Sequence, residues 1–467
     1  LPAWQAAQRA PALALKSGDA EQDLSRLATT RPGLALMAAG ALLAWLPAIG
    51  GLPLPGYLAI AALLAGSVLL VPAITRRLLR AVRPTGHVVP DTALAQLQGS
   101  LGSSTVSLAS MIVSFSLMVA MAIMVHSFRD SFESWLGKLL PADLQVFAAL
   151  GGDTSTLSVA AQSRIAALNG LARAEFQRIQ PIYLRSDRPA VALIARELAP
   201  NPADSLPLLR EAHQRPGSAL PPVWISEAVH DRYGYEPGQE LALPLAGRGE
   251  LFFIAGVWRD YVHAAGALVI RRQDYIAATG DRSATEGSLW LQPRVGTATI
   301  EAAIRAALAP DDTLELISSP QLRERSLMAF DRAFMITYGL EAVDVLIGLV
   351  GVSVAASSTA LARRAQFGML RHLGMLRRQV LWMFASEGLA LSVLAVLYGL
   401  LLGALLSLIL VYVINRQSFN WSIDLAVPWL QLAALSLALI AAAAITALWS
   451  GRAAMSQDPI RAVREDW

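Results

Sequence analysis

The sequence predicts a polytopic α-helical membrane protein with six transmembrane helices and one inserted α+β domain. Only 16% of the 467 residues are charged and 55% are hydrophobic, whereas a soluble protein carries about 25% charged residues. Several apolar runs exceed the length of about 18 residues that is typical of a membrane-spanning helix. Arginines concentrate in four stretches that a single topology places together on the cytoplasmic side: residues 1–31, 76–83, 361–379 and 452–464.

The chain begins with a polar, basic segment, residues 1–31, which we expect to be a cytoplasmic tail. Residues 32–83 then hold two apolar segments, Leu34 to Ile49 and Tyr57 to Leu79, joined by an uncharged turn rich in glycine and proline. Such a turn ends one element and begins the next. The two segments are therefore predicted to be linker transmembrane helices.

Residues 84–128 are predicted to contain an amphipathic helix on the inner membrane surface and the third transmembrane helix. The amphipathic helix covers Asp91 to Leu101, with Asp91 as its N-cap. The transmembrane helix covers Val106 to Phe128. Four serines share one of its faces, and small polar residues let membrane helices approach closely. Helix packing is the favoured interpretation and a transport path is the alternative for Ser103, Ser107, Ser110 and Ser114.

Residues 129–332 differ in kind, because they are polar, mixed in charge and long enough for a separate domain. Short apolar runs predict strands, and longer periodic segments predict helices. Their alternation along the chain indicates an α+β or α/β domain. The predicted strands are Leu144 to Phe147, Ala190 to Ala195, Val223 to Ile225, Glu240 to Leu245 and Leu251 to Val257. The predicted helices are Thr156 to Leu168, one capped by Ser226, and Ile300 to Leu308.

Residues 333–467 are predicted to form three more transmembrane helices and a basic tail. Gly399 and Gly403 form a GxxxG pattern, which is a common helix contact face in membranes. Glu341 and Asp344 are either functional charges within the membrane or, as we favour, groups that lie above the lipid headgroups. The three helices are Phe334 to Ala360, Val380 to Ile414, and Pro428 to Trp449.

The loop at 361–379 carries the most informative pattern in the chain. It holds five arginines, one histidine and no acid. Phe367, Leu370 and Leu373 interrupt the charge at helical spacing, which predicts a short basic amphipathic helix on the cytoplasmic face. Such a helix can rest on lipid headgroups or insert its apolar side chains into a groove of a partner.

The same loop resembles the signature of the FtsX-like permeases. The matching residues are Arg363-Arg364, the run from Phe367 to Arg371, the run from Leu373 to Met375, and Glu387 in the next helix. The sequence departs from the pattern at Gln366, where the family has Glu, and at His372, where it has Ala. Further upstream, Trp224 to Glu227, Pro237-Gly238 and Gly256-Val257 resemble the extracytoplasmic domain of MacB-like members.

This resemblance implies a multi-pass permease subunit of an ABC transporter in a bacterial inner membrane. It implies a cytoplasmic ATPase dimer as the partner, which would bind ATP and Mg, while this chain itself holds no cofactor. Glu387 would orient the coupling helix, with Arg371 or Arg378 as its expected partner. The residues expected to couple to the ATPase are Arg363, Arg364, Gln366, Phe367, Leu370, Arg371, Leu373, Gly374 and Met375.

The two ends of the chain carry similar basic segments. The spacing of Pro11, Ala14 and Lys16 matches that of Pro459, Ala462 and Arg464, and FtsX-like units end in such a tail. We therefore expect the opening to be the tail of a preceding unit in a longer, duplicated permease. A chance match between alanine-rich basic segments is the alternative.

Motifs for catalysis by this chain are absent from the sequence. Lys16 and Lys138 are the only lysines, and neither lies in a phosphate-binding loop. There is no His-Glu-x-x-His metal motif, no Gly-x-Ser-x-Gly elbow and no basic pattern that indicates nucleic-acid binding. The first functional hypothesis is ATP-driven extraction or export of hydrophobic substrates, namely lipids, lipoproteins or toxic compounds. The second is mechanical signalling to a periplasmic hydrolase or carrier, and an intramembrane enzyme is the least favoured.

Overall fold

The computed structural model describes most of the chain and divides it into two compact units. The helical unit contains residues up to 126, 335–417 and those from 425 onward, and the sheet unit contains residues 127–334 and 418–424. The described residues are 30–81, 86, 88–99, 101–148, 156–212, 220–308, 314–362 and 364–455.

The helices that contribute to the helical unit are mostly long and apolar. They are α1 (Thr30–Leu43), α2 (Leu54–Ala81), α3 (Val88–Gly99), the first part of α4 (Leu101–Leu139), α10 (Met335–Ala362), α11 (Arg364–His372), α12 (Arg377–Ile409), a π-helical turn (Leu410–Ile414), α13 (Asn415–Phe419) and α14 (Trp429–Met455). Helices α5 to α9 belong to the sheet unit.

The prediction of six transmembrane helices is not confirmed. Within the described residues, four helices are long and apolar enough to cross a membrane, or five if the bent pair Ser319–Ala333 and Met335–Gly351 counts as one span. The first predicted span falls short, because α1 has only 14 residues, fewer than the about 20 that a span needs. It packs closely on α2 instead, where a side chain on Gly33 would meet Leu70 at 2.9 Å.

The core of the helical unit is built from α2, α4, α12 and α14. Two glycines on α12 bring its backbone close to α4. A Cβ atom on Gly399 would lie 2.8 Å from Phe115, and one on Gly403 would lie 2.6 Å from the Cβ of Val119. Small residues thus permit this close approach, as is usual for membrane helices.

The sheet unit is a ten-stranded mixed sheet with helices packed against it. The strand order is β10-β1-β9-β2-β3-β8-β5-β7-β4, with β6 paired to β7. The strands are β1 (Leu144–Ala148), β2 (Leu171–Ile182), β3 (Val191–Arg196), β4 (Leu208–Glu211), β5 (Pro222–Ser226), β6 (Glu240–Leu245), β7 (Arg248–Trp258), β8 (Ala267–Arg271), β9 (Glu286–Leu291) and β10 (Leu314–Ser318).

In the part of this unit that the structure describes, five helices accompany the sheet, and the apolar side chains form several distinct cores. One core joins β1 and β9 to two helices through Ile165, Ile300 and Ile304. A second lies on β3, β5, β6, β7 and β8 and includes the buried Val229. The helices are α5 (Val159–Ala166), α6 (Glu227–Tyr233), α7 (Arg272–Thr279), α8 (Thr297–Ala307) and α9 (Ser319–Ala333), with a short 3-10 turn at Pro202–Asp204.

Of the two helix N-caps that the sequence predicted, one is found in the structure and the other is not. Ser226 caps α6, since its Oγ accepts a hydrogen bond from the Val229 amide. Asp91, in contrast, is not an N-cap. Helix α3 begins three residues earlier, at Val88, and the Asp91 carboxylate instead accepts a hydrogen bond from the Gly86 amide.

Candidate functional site

The predicted coupling segment folds as a nine-residue helix, α11, closed by a tight turn. The Gly374 amide donates to the Arg371 carbonyl and the Met375 amide donates to the Leu370 carbonyl, each at 3.1 Å. Gly374 has a φ of 100°, a conformation that glycine adopts without a steric penalty. This pair of hydrogen bonds is the Schellman motif, which ends helices at a left-handed glycine.

The two residues bridged by this turn pack inward. Leu370 and Met375 both contact a small core formed by α3, α10, α12 and α14. Leu370 therefore helps to hold α11 against the helical unit, and its role as an anchor for a partner stays a prediction. The apolar side chains that the structure exposes are Met369 at 58%, Leu373 at 78% and Leu376 at 67%.

The polar residues of the segment differ in their exposure and in their contacts. Arg377 and Arg378 are exposed and Arg371 is half-buried. Gln366 accepts a hydrogen bond from Gln96 of α3 at 3.2 Å, so α3 contacts α11 directly. Arg363 lies outside the described residues. Arg364 and Phe367 lie in α11, but their side chains lie outside the described part of the structure.

Glu387 lies on α12, close to where α12 meets α14. It is 2% exposed, and a Cβ atom on the adjacent Gly388 would lie 3.1 Å from the Cβ of Ala447 on α14. An ionisable side chain at such a position is costly without a partner. Pairing of Glu387 with Arg371 or Arg378 stays a prediction.

The serine face of α4 meets the glycine-rich face of α10 more loosely than α12 meets α4. A Cβ atom on Gly348 would lie 3.8 Å from the Cβ of Ser114, and one on Gly351 would lie 3.8 Å from Oγ of Ser110. Both distances are ordinary van der Waals contacts. The side chains of Ser103 and Ser107 lie outside the described residues.

A second constellation lies in the sheet unit and involves the loop between α13 and α14. Arg259, at the end of β7, donates from Nη1 to Oδ2 of Asp424 at 2.6 Å and from Nη2 to Oδ1 at 3.1 Å. The Asp424 amide also donates to Oγ of Ser131 at 3.0 Å. The Ser422 amide donates to the Glu227 carboxylate at 3.0 Å. We call residues 418–424 the outer strap.

Aromatic rings reinforce the contacts of the outer strap. The Tyr261 hydroxyl donates to the Ser422 carbonyl at 2.9 Å, and its ring meets Trp421 edge-on at 5.5 Å. Phe128 contacts both Tyr261 and Trp421. Burial raises the pKa of Tyr261 far above its ordinary value, so its hydroxyl remains a hydrogen-bond donor at any physiological pH.

Residues 342–459 match the family described as FtsX-like permease C-terminal. The chain is also 27% identical over 449 residues to the uncharacterized ABC transporter permease protein Rv0987 of Mycobacterium tuberculosis (strain ATCC 25618 / H37Rv). Together, the two matches support an FtsX-like ABC transporter permease. The alignment covers 91% of this permease and 51% of Rv0987, so the permease spans about half the length of that relative.

Among solved structures, the permease matches the extracellular domain of the noncanonic ABC-type transporter YknZ from Gram-positive bacteria. The match has a TM-score of 0.27 and 9% sequence identity, and it covers 37% of the permease and 98% of that domain. A TM-score this low does not establish a shared fold.

The family match covers some of the constellations and leaves out others. Residues 342–459 include α11, Glu387, the glycines of α12 and the outer strap, whereas Arg259 and Ser131 lie outside them. Sequence reasoning missed the outer strap altogether and treated it as part of an outside loop. The one available signal was the pairing of a lone acid, Asp424, with two aromatic residues, Phe419 and Trp421, in a short segment between apolar helices.

Proposed function

We propose that this permease couples ATP hydrolysis by a separate cytoplasmic ATPase dimer to movement of the sheet unit on the outer side of a bacterial inner membrane. The movement would extract or export hydrophobic substrates such as lipids, lipoproteins or toxic compounds. ATP and Mg would be bound by the ATPase, and lipids would surround the helical unit. The observation that carries the proposal is the outer strap.

The outer strap links the last membrane helices to the inserted domain by continuous chain. Residues 418–424 belong to the sheet unit, while α12 before them and α14 after them belong to the helical unit. The Arg259–Asp424 pair and the Tyr261–Ser422 hydrogen bond hold the strap within the sheet unit. A displacement of α12 or α14 would therefore pull directly on residues that are built into the domain.

The second support is the exposed apolar row on the cytoplasmic loop. Met369, Leu373 and Leu376 are exposed next to Arg377 and Arg378. Apolar anchors rimmed by basic side chains suit docking in a groove of a protein partner, where the apolar residues would supply most of the affinity and the arginines the orientation. The rigid Schellman turn at Gly374 would transmit movement of the docked helix to α12.

Mechanical signalling to a periplasmic hydrolase or carrier is the alternative, because a strap that moves a domain serves either purpose. The discriminating experiment purifies the native complex with its ATPase in lipid nanodiscs and measures ATP hydrolysis. Stimulation by hydrophobic compounds supports extraction, whereas stimulation by a bound periplasmic protein supports signalling. An ATPase that neither binds the permease nor changes its rate in the complex would contradict the proposal as a whole.

A further inference from the structure

The sheet unit contains a cleft that the transport proposal does not use. Its volume is about 440 Å³, within the range of about 300–1,000 Å³ that is typical of small-molecule sites. It opens between β2, the beginnings of β3 and β9, and the loop before β8. Phe147, Ile179 and Pro181 contribute apolar surface to its walls, and His263 and Glu286 contribute ionisable groups.

The cleft lies where β2 changes neighbours. Its residues Leu171 to Gln177 pair with β9 on one side, and Arg178 to Ile182 pair with β3 on the other. Among the described residues, no strand pairs with the β9 side of β2 beyond Gln177. A further strand would bind there poorly, because the Ile179 amide is taken by Oγ1 of Thr285 and Pro181 has no amide hydrogen. The space therefore suits a small ligand better than an added strand.

A buried carboxylate, that of Asp260, fixes the orientation of the His263 ring. Its Nδ1 lies 2.9 Å from Oδ2 of Asp260, and Asp260 is only 4% exposed. Oδ1 of Asp260 accepts the Val262 amide at 3.0 Å, which fixes the carboxylate. Burial lowers the pKa of His263, but the hydrogen bond and charge of Asp260 outweigh it and leave the pKa raised. In the protonated ring Nδ1 donates to Asp260, and Nε2 is left to donate to a ligand.

Glu286 faces the same cleft from β9 and has its own support. Gln177 donates a hydrogen bond to its Oε2 atom, which leaves Oε1 as an acceptor. Burial raises the pKa of Glu286 and outweighs the lowering by the Gln177 hydrogen bond and by the positive charges of His263 and Arg196. A bound cation would add to these lowering effects and favour the charged carboxylate. The Glu286 carboxylate and the His263 ring do not approach within the about 4 Å of an ion pair, so each retains an unused hydrogen-bonding atom.

We propose that this cleft binds a small zwitterion, whose cationic amine is held by Glu286 and whose anionic group is held by His263. Two opposite charges that are anchored separately and not paired with each other leave a gap that such a ligand fills. The apolar wall of Phe147, Ile179 and Pro181 accommodates a short side chain. Amino acids, short peptides and the headgroup of an ethanolamine lipid share this chemistry. The inference does not depend on the proposed transport function.

Binding is measured by isothermal titration calorimetry on the purified full chain in detergent at pH 6.5. The probes are L-alanyl-L-leucine for a peptide source and O-phosphoethanolamine for a lipid headgroup. The controls are N-acetyl-L-alanyl-L-leucine, which lacks the cation, and L-alanyl-L-leucine amide, which lacks the anion. We expect one of the two zwitterions to bind, and for the peptide each blocked form to bind at least about tenfold more weakly.

The variants Glu286→Gln and His263→Gln test the two proposed contacts. Glu286→Gln keeps a side chain that can hydrogen-bond to Gln177, so its fold is conserved while its charge is lost. Each variant should weaken binding at least about tenfold, whereas Glu240→Gln, on an exposed carboxylate of β6, should leave it unchanged. If a variant fails to fold, the comparison of free and blocked peptides on the wild-type chain still decides.

The pH dependence of binding provides a further readout. The charged groups that act on the His263 ring are Asp260 and Glu286, and Arg196 acts in turn on Glu286. Affinity should fall as the pH rises through the raised pKa of His263, and Asp260→Asn should move this loss to lower pH. Absence of binding by both zwitterions at about 10 mM, equal binding of the blocked peptides, or unchanged binding by both cleft variants would each overturn the proposal.

Discussion

Arg259 and Asp424 lie 165 residues apart in the sequence and form a two-point contact, with Nη–Oδ distances of 2.6 and 3.1 Å. The Arg259 side chain is 11% exposed, whereas that of Asp424 is 75% exposed. The hydrogen bond from Arg259 lowers the pKa of Asp424. Burial lowers the pKa of Arg259, but Asp424 outweighs it and leaves the pKa raised. The charge of the buried Arg259 side chain is therefore balanced by Asp424, which remains exposed to solvent.

Asp424→Asn is expected to destabilise the sheet unit, because it leaves the Arg259 charge without its counterion. Loss of a partner by a buried polar group typically costs about 1–3 kcal/mol, which corresponds to a fall of several degrees, about 2–4 °C per kcal/mol, in the unfolding midpoint of a domain this size. Thermal unfolding of the purified chain followed by tryptophan fluorescence measures it. Asp187→Asn is the matched control, since its ion pair with Arg185 is exposed and should change the midpoint little.

Met369→Ala combined with Leu373→Ala is expected to release the ATPase. Met369 is exposed on α11 and Leu373 is exposed directly after it. Truncating a central interface anchor costs about 2 kcal/mol or more, roughly a thirtyfold loss of binding. The amount of ATPase recovered with the tagged permease is the measurement. Leu430→Ala with Leu437→Ala is the control, because both side chains are exposed on α14.

The outcome also decides between a protein and a lipid partner for this helix. Recovery of wild-type amounts of ATPase with the Met369 and Leu373 double variant, but less with arginine variants of the same loop, would favour docking on anionic lipid. Leu370→Ala should instead lower the stability of the helical unit, since Leu370 packs against its core.

Gly403→Ala is expected to destabilise the helical unit. The new Cβ atom would lie 2.6 Å from the Cβ of Val119 and 2.8 Å from the Ser116 carbonyl oxygen, so the backbones would have to separate, at a cost of about 1–3 kcal/mol. Gly348→Ala is the matched control. Its Cβ atom would meet Ser114 at 3.8 Å, and unfolding in detergent should show no loss. Equal stability of the two variants would exclude tight packing at Gly403.

The stability of the sheet unit should depend on pH through His263. Because the folded pKa is raised above the ordinary 6.5, the Asp260–His263 contact stabilises the fold fully below pH 6.5 and less as the pH rises through the folded value. The difference in unfolding midpoint between wild type and His263→Gln should therefore shrink from pH 6 to pH 9. A difference that grows with pH would show that the ring is held neutral.

The sheet unit should be accessible from outside the cell membrane and α11 from inside. The chain has no cysteine, so Asp187→Cys and Leu373→Cys, both at exposed positions, give labelling without background. An impermeant thiol reagent should label Asp187→Cys in intact spheroplasts and Leu373→Cys only after lysis. The reverse order would invert the predicted topology.

The features that the sequence predicted correctly are those that depend only on residues close together along the chain. Apolar length located the helices that begin at Leu54, Leu101 and Trp429, and short apolar runs located β3, β5 and β6. Strand β2 was missed because its side chains are mostly half-exposed, so charged and apolar residues alternate without a clear period. The inward packing of Leu370 could not be predicted either, since helical spacing alone does not say which apolar residues meet the rest of the chain.

Contacts between distant segments were beyond sequence reasoning for a physical reason. The outer strap mixes four polar residues with three apolar ones, so its composition does not predict its contacts. Its partners at Ser131, Glu227 and Arg259 lie more than a hundred residues away. The cleft is similar, since His263 and Glu286 come to line it together only through the order of strands in the sheet. Such pairings cannot be read from a single sequence, because the local pattern of polar and apolar residues would be the same without these long-range contacts.

The outer strap also bears on how the inserted domain can be studied in isolation. A soluble fragment cut at residues 127 and 334 would lack residues 418–424, leaving Arg259 without Asp424 and uncovering the rings of Phe128 and Tyr261. Such a fragment should aggregate, or should recruit a synthetic heptapeptide of sequence 418–424 from solution. Fusing that heptapeptide to the fragment through a flexible linker would restore the missing contacts and yield a monodisperse domain for crystallisation.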